Sequence, residues 1–388
     1  MRKLLSALLA CCSLSPALAL GGPTTGPTTG PTAGTTAGTT AAPITGPAAG
    51  TAAGPAAGSA AGTSTGPTTA PTVGTTAGPA TGPTAKAVPE SAAKPGAEPA
   101  APYRFVIIPK VVHPWFDLVH QGAKQAARMI EQQTGRPVTL DYLAPHKAEV
   151  AEQVRLLEQA MASGPDGIAM DLLDDRAMQA SLAQARRQGI PLVLFDSEPP
   201  AGMDLPYVGN DFCAQARMAA SRLVALLGGE GDVAIMLGVP TAVNHRIRAE
   251  CHERLFQEHP GIKLVAKGID NDSIDTAREQ AKAVMAEHPR LRGWVSCDAG
   301  GVIGIGRAIK EANLTGQVFN VGLDDLPETV QLIREGVVDS SYATKPRTQG
   351  YWAILSLWQA SLGAPMPKDI DTGIGIVNRD NAGQYQGW

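Results

Sequence analysis

The rhythm of apolar and polar positions changes at Tyr103. From there onward short β-branched runs alternate with stretches whose apolar residues recur at helical spacing, the pattern of a parallel sheet covered by helices. The first series reads as a strand over 103–108, a helix over 117–133 with Leu118, Ala126, Met129 and Ile130 on its apolar side, and a strand over 138–142. It continues with a helix over 148–163 ending near Gly164 and Pro165, a strand over 167–170, a helix over 176–188 stopped by Gly189, and a strand over 190–195. A second series follows Gly209, with strands over 232–237, 262–266, 293–297 and 318–323 and helices over 245–258, 276–287 and 302–312. A last helix, over 349–362, carries Trp352 and Trp358 as packing residues. The pattern predicts an α/β protein made of two doubly wound parallel-sheet lobes in tandem.

Before Tyr103 no such pattern exists. From Gly21 to Pro102 the chain repeats a loose four-residue unit, as in Gly26-Pro27-Thr28-Thr29, drawn from Gly, Pro, Thr, Ala and Ser. Such a segment has too little apolar surface to form a core, and its period of four excludes the collagen triple helix. A disordered linker over 21–102 with polyproline II character is expected. Residues 1–20 read as an export signal, with Arg2 and Lys3 as the charged start and Leu4 to Leu14 as an apolar core too short to span a bilayer. Two processing sites compete. Ala17-Leu18-Ala19 fits cleavage to a soluble form, whereas Leu8-Leu9-Ala10-Cys11 resembles a lipobox in which Cys11 would carry a lipid anchor. Export to the periplasm or cell envelope follows from either, and lipid is the one route to a membrane. Cys213, Cys251 and Cys297 are odd in number, widely spaced and without a C-x-x-C pair, so they are expected as buried free thiols with neither a disulfide nor a metal site.

A net charge of -4 offers no basic footprint for nucleic acid. No G-x-S-x-G elbow, H-E-x-x-H helix or P-loop is present, which argues against an enzyme and leaves no catalytic residue or cofactor to assign. The glycines from Gly300 to Gly306 lack dinucleotide spacing and read as a close-packed helix start. His252 and His259 share no face and are expected to be solvated. Ligands of open parallel sheets sit beyond the carboxyl ends of the strands. Those ends carry His113, Trp115 and Phe116, then Asp196, Arg246, Asn271, Asp298 and Asp324. Carboxylates, an arginine and paired aromatics from both lobes suit a polyhydroxylated ligand, through paired hydrogen bonds to hydroxyls and flat contact with C–H faces.

These strand ends resemble the ribose/galactose class of periplasmic sugar-binding proteins from about Arg104 to Val377. His113-Pro114-Trp115-Phe116 is similar to that family's Asn-Pro-Phe-Phe loop, Leu194-Phe195-Asp196-Ser197 to its strand-end aspartate, Arg246-Ile247-Arg248 to its Arg-x-Arg, and Val321-Gly322-Leu323-Asp324 to its Gly-Phe-Asp. The resemblance implies ligand contacts from His113, Trp115, Phe116, Asp196, Arg246, Asn271, Asp298, Asp324 and Thr344. Thr344 falls at a hinge position often held by glutamine, while Arg248 is expected to be a surface or salt-bridging residue. It also implies a three-segment hinge near Gly209-Asn210, Thr344 and Thr372-Gly373, with 103–209 plus 345–372 in one lobe and 210–344 plus 373–388 in the other. Asn271 stands where a stacking aromatic is frequent, Ser197 where an arginine is common, and Asp298 where asparagine is usual. The surplus of carboxylate over arginine favours a neutral or amine-bearing sugar or polyol over sugar acids and phosphates. The implied partner is an ABC permease or, alternatively, a membrane sensor protein.

Overall fold

The structure is a computed structural model and describes residues 101–386. The expected signal segment, Cys11 and all but the last two residues of the 21–102 linker lie outside the described residues. Six strands, β1 (Tyr103–Ile108), β2 (Val138–Tyr142), β3 (Gly167–Met170), β4 (Leu192–Phe195), β5 (Tyr207–Gly209) and β11 (Asp369–Asp371), make an all-parallel sheet in the order β2-β1-β3-β4-β5-β11. Six more, β6 (Gly231–Leu237), β7 (Ile262–Ile269), β8 (Leu291–Ser296), β9 (Phe319–Leu323), β10 (Ser340–Ala343) and β12 (Gly375–Asn378), form the second sheet in the order β7-β6-β8-β9-β10-β12. All of its pairs are parallel except β10 with β12. The two sheets repeat one winding, and the chain crosses between them after β5, after β10 and between β11 and β12.

The near-continuous apolar runs of β3 and β4 are buried at every position because helices cover both faces of the sheet. The first lobe carries α1 (Pro114–Thr134), α2 (Val150–Ala162), α3 (Asp175–Arg187) and α9 (Pro346–Ser361). The second carries α4 (Phe212–Leu226), α5 (Val243–Gln257), α6 (Ile274–Glu287), α7 (Ala299–Glu311), α8 (Pro327–Arg334) and the short α10 (Arg379–Ala382). Side-chain caps fix several starts: Asp174 for α3, Asp211 for α4, Ser273 for α6 and Asp298 for α7. Helices α1 and α9 cross at backbone contact. A Cβ on Gly122 would lie 1.9 Å from Arg347 O, and one on Gly350 would lie 2.0 Å from Val119 O, so each position admits only glycine. That crossing holds the start of α1 in place. The Gly300–Gly306 cluster packs as expected, since a Cβ at Gly304 would meet Ala277 of α6 at 2.4 Å.

Three expectations need correction. Cys213 and Cys251 form a disulfide that ties α4 to α5, which leaves Cys297, buried, as the one free cysteine among the described residues. Wide spacing in sequence hid the pair because α4 and α5 lie side by side. His252 is fully buried rather than solvated, stacks on Phe256 and is pulled down to about 4 by burial. Trp358 packs on the core, but Trp352 on the same helix is 40% exposed. No helix among the described residues is long and apolar enough to cross a membrane.

Candidate functional site

The carboxyl ends of the two sheets face each other across a narrow cavity lined by Lys110, His113, Trp115, Phe116 and Asp196 from the first lobe. The second lobe supplies His245, Arg248, Asp272, Asp298, Ala299 and Asp324. It is nearly closed, with about 20 Å³ free, room for a water but not a sugar ring, so a larger ligand must enter with the lobes apart. A larger open groove of about 810 Å³ lies beside β5 and β11 under residues 198–205, and holds none of the expected site residues.

Each lining residue has a structural reason for its direction. His113 caps α1: its Nδ1 accepts from Trp115 N at 3.2 Å, and Pro114 needs no hydrogen-bond partner at the first helical position. Burial lowers its basicity, so the neutral ring carries its proton on Nε2, which has no protein partner. Trp115 and Phe116 are buried and meet edge to face at 5.0 Å, and the Trp115 indole donates to Thr344 Oγ1 at 2.9 Å.

Asp196 and Asp324 occupy corresponding places, each one residue past the end of a strand and each in the left-handed region, with φ of 49° and 64°. Neither caps a helix. Aspartate tolerates this conformation better than most residues, and it turns the side chain back across the strand ends. Asp196 Oδ2 accepts from Asn244 at 2.6 Å, and Oδ1 accepts from Gln349 at 3.4 Å and lies 3.9 Å from Arg248 Nη2. Burial raises its carboxyl, opposed by Arg248 and Lys110. Asp298 spends Oδ1 on the start of α7, accepting from Gly301 N at 2.7 Å, and leaves Oδ2 unpartnered; burial, then Asp272, push it up to about 6. Asp324 is pushed up to about 7, chiefly by burial, against the pull of Arg248 and of hydrogen bonds from Thr344.

The cationic side of the cavity differs from the expectation. Arg246 is half-buried and reaches Asp175 of the first lobe at 3.4 Å, outside the cavity. Beside it Thr241 donates to Leu173 O at 2.7 Å, and Leu173 packs with Val239 and Ala242, so this patch joins the lobes without touching the cavity. Arg248 is the buried arginine. It donates to Gln215 Oε1 at 2.9 Å and Cys297 O at 3.2 Å, lies over the Phe212 ring at 4.6 Å, and keeps Nη2 without a hydrogen bond, 3.9 Å from Asp196. Asn271 is exposed on a turn, and Asp272 lines the cavity in its stead, with Oδ2 unpartnered. Thr344 is buried behind the lining, not in it.

Lys110 and His245 were absent from the expected set. Lys110 follows β1, lies 3.5 Å from Asp171 and donates to Asn244 Oδ1 at 3.3 Å across the lobes. Burial alone would lower it, but Asp171, Asp272 and Asp196 hold it above its ordinary value. His245 accepts from Val239 N on Nδ1 at 2.8 Å, and its Nε2 lies 3.1 Å from Lys110 Nζ and 3.7 Å from Asp272 Oδ1. Position at a strand end was the available signal for Lys110; for His245 there was none beyond its neighbours. Among the described residues no group of three or more metal-ligating side chains comes together. Four lining residues keep polar atoms without a hydrogen-bond partner, donors on His113 and Arg248 and acceptors on Asp272 and Asp298, in a lining that also holds Trp115 and Phe116.

Residues 104–365 match the model of a family described as periplasmic binding protein domain. The chain is 23% identical over 301 residues to the xylose/arabinose-binding protein XylF of Sulfolobus acidocaldarius, covering 73% of each. It is 26% identical to the D-allose-binding periplasmic protein of Escherichia coli, covering 65% of this chain and 81% of that one. Among solved structures, a solute-binding protein of Burkholderia graminis in complex with D-arabinose superposes with a TM-score of 0.69 at 26% identity, over 75% of this chain and all of that one. A glucose-galactose binding protein of Geobacillus stearothermophilus gives 0.67 at 25%, over 72% and 98%. Two lobes of one winding, a cavity between their strand ends and the match over 104–365 agree, and the chain belongs to the periplasmic binding protein domain family.

Proposed function

We propose that this protein is an extracytoplasmic solute-binding protein that closes on a small neutral or amine-bearing sugar or polyol and delivers it to an ABC importer. The observation that carries the reading is the convergence of Asp196 and Asp324, one from each lobe, on a cavity that also holds Arg248, His113, Trp115 and Phe116. Paired acceptors and donors suit adjacent hydroxyls, and the aromatic faces suit a sugar's C–H surface. The named relatives bind xylose, arabinose or allose, which supports the same ligand class. Four lining carboxylates face Lys110 and Arg248, so an anionic ligand would add to surplus negative charge.

The site residues proposed to touch ligand are His113, Trp115, Phe116, Asp196, Arg248, Asp272, Asp298 and Asp324, with Lys110 and His245 at the polar end. Export places the protein in the periplasm or envelope, tethered through Cys11 if the lipobox is used. Delivery to a permease requires the lobes to open again at the membrane. A thermal-shift screen tests the ligand class with D-xylose, L-arabinose, D-ribose, D-allose, xylitol, amino sugars and sugar acids, since a ligand that binds only the folded state raises its melting temperature. A rise with a neutral or amine-bearing sugar supports the reading. A rise with sugar acids alone contradicts it.

A further inference from the structure

Thr344 has a part that neither its place on the hinge nor the cavity lining reveals. It follows β10 at the second crossing between the lobes and is wholly buried. Its hydroxyl meets two lining residues from opposite lobes, accepting from Trp115 Nε1 at 2.9 Å and lying against Asp324 Oδ1. Its backbone N–H also donates to Asp324 Oδ1 at 2.9 Å. Proton counting decides the directions. An indole N–H can only donate, so Thr344 Oγ1 is the acceptor there, and the single hydroxyl proton must go to Asp324. Asp324 Oδ1 thus receives two protein donors, which leaves Oδ2 for the cavity that Asp324 lines.

We propose that Thr344 is a positioning residue: by filling Asp324 Oδ1 and anchoring the Trp115 indole with one hydroxyl, it fixes which carboxylate oxygen faces the ligand and couples the aromatic wall of one lobe to the acceptor of the other. This rests on the reading of the cavity as the sugar site. Two consequences separate it from simple packing. Any proton that Asp324 takes up resides on Oδ2 and points into the cavity, so the group is an acceptor when ionised and a donor when neutral. The charged groups acting on it are Arg248 from α5, which favours ionisation, and Asp196 at the end of β4, which opposes it. Removing the threonine hydroxyl removes a hydrogen bond to the charged form and must move the Asp324 titration upward.

Thr344→Val removes the hydroxyl at nearly constant volume, and Thr344→Ser keeps it. The Asp324 carboxyl is followed by carbon-13 NMR in ligand-free protein, and D-xylose and D-allose binding by calorimetry across pH. In Thr344→Val the expected results are an upward shift of the Asp324 midpoint and about ten- to hundred-fold weaker sugar binding, the size expected for one lost hydrogen bond to a charged group. Thr344→Ser should match the parent in both. If neither sugar binds the parent, the sugar reading fails for those two ligands while the carboxyl titration still decides the positioning claim. Should Thr344→Val not fold, the parent supplies the test, because the Trp115 indole N–H resonance should follow the Asp324 titration through the shared hydroxyl. An unmoved Asp324 midpoint in Thr344→Val, or an indole resonance indifferent to that titration, would overturn the proposal.

Discussion

Arg246 and Arg248 stand two residues apart on α5, and replacing each by methionine should have very different effects. Arg248 is 2% exposed, donates to Gln215 and Cys297 O, lies over Phe212 and faces Asp196 at 3.9 Å. Removing one partner of a buried charge pair costs about 3–5 kcal/mol, because the other charge is left uncompensated. Asp196 keeps hydrogen bonds from Asn244 and Gln349, and its raised carboxyl can take up a proton. The lower end, about 3 kcal/mol, is therefore expected. At about 2–4 °C per kcal/mol for a protein of this size, Arg248→Met should melt about 6–12 °C below the parent. Sugar binding should weaken by about a hundred-fold or more, while Arg248→Lys keeps part of both. Arg246 forms a half-exposed pair with Asp175, of a kind worth about 1 kcal/mol or less, so Arg246→Met should shift melting by a few degrees at most and leave affinity within about three-fold. Differential scanning calorimetry and isothermal titration of the variants measure both quantities. Loss of binding in Arg246→Met with retention in Arg248→Met would refute this assignment.

Three further outcomes follow from the same structure. The Cys213–Cys251 bridge closes a loop with a sequence separation of 38, worth about 4 kcal/mol from chain entropy, so reductant should lower the melting temperature by roughly 8–16 °C; Cys213 and Cys251 both found as free thiols in the native protein by mass spectrometry would contradict it. Asp324 is raised to about 7 when folded, so the folded state binds more protons than the unfolded one, and its contribution is present at low pH and lost as pH rises through about 7. The lowered His113 and His245 act in the opposite sense, but only below their ordinary value of 6.5. Asp171, buried beside Lys110 and raised to about 8, acts in the same sense as Asp324, so ligand-free protein should lose stability between about pH 6.5 and 8, and Asp324→Asn should lessen that loss only at its lower end, below about pH 7.5, in denaturant melts; a rise over the same interval in the parent would contradict the sign. Gly122→Ala would drive a Cβ into Arg347 O and force α1 away from α9, so a melting temperature within 2 °C of the parent by calorimetry would be evidence against that crossing.

The alternation of apolar runs made both lobes legible, because parallel strands buried on two faces leave unbroken β-branched stretches and each is followed by a covering helix. The strand-end rule brought His113, Trp115, Phe116, Asp196, Asp298 and Asp324 to the cavity lining. It failed where a local backbone turn decides direction. Helix α5 begins at Val243 without a capping side chain, so its start carries no sequence mark. Asn244 and Arg248, four residues apart, share the inward face, whereas Arg246 points elsewhere. Asn271 and Asp272 both adopt the left-handed region, with φ of 54° and 60°, and that double turn swaps the exposed residue for the lining one. The disulfide was hidden because α4, rich in alanine and only weakly amphipathic, gave no contour against which to place Cys213. Thr344 was drawn to the ligand by its place on the hinge, but its side chain is too short to pass Asp324 and Trp115.

The central claim is that a sugar is held between the two sets of strand ends. The most direct measurement is a crystal structure of the protein grown with the sugar that gives the largest thermal shift. The expected result is a sugar enclosed between the lobes, within hydrogen-bond distance of Asp196, Arg248 and Asp324 and against Trp115 or Phe116. A sugar bound in the open groove under residues 198–205, with the interlobe cavity still closed to it, would contradict the claim.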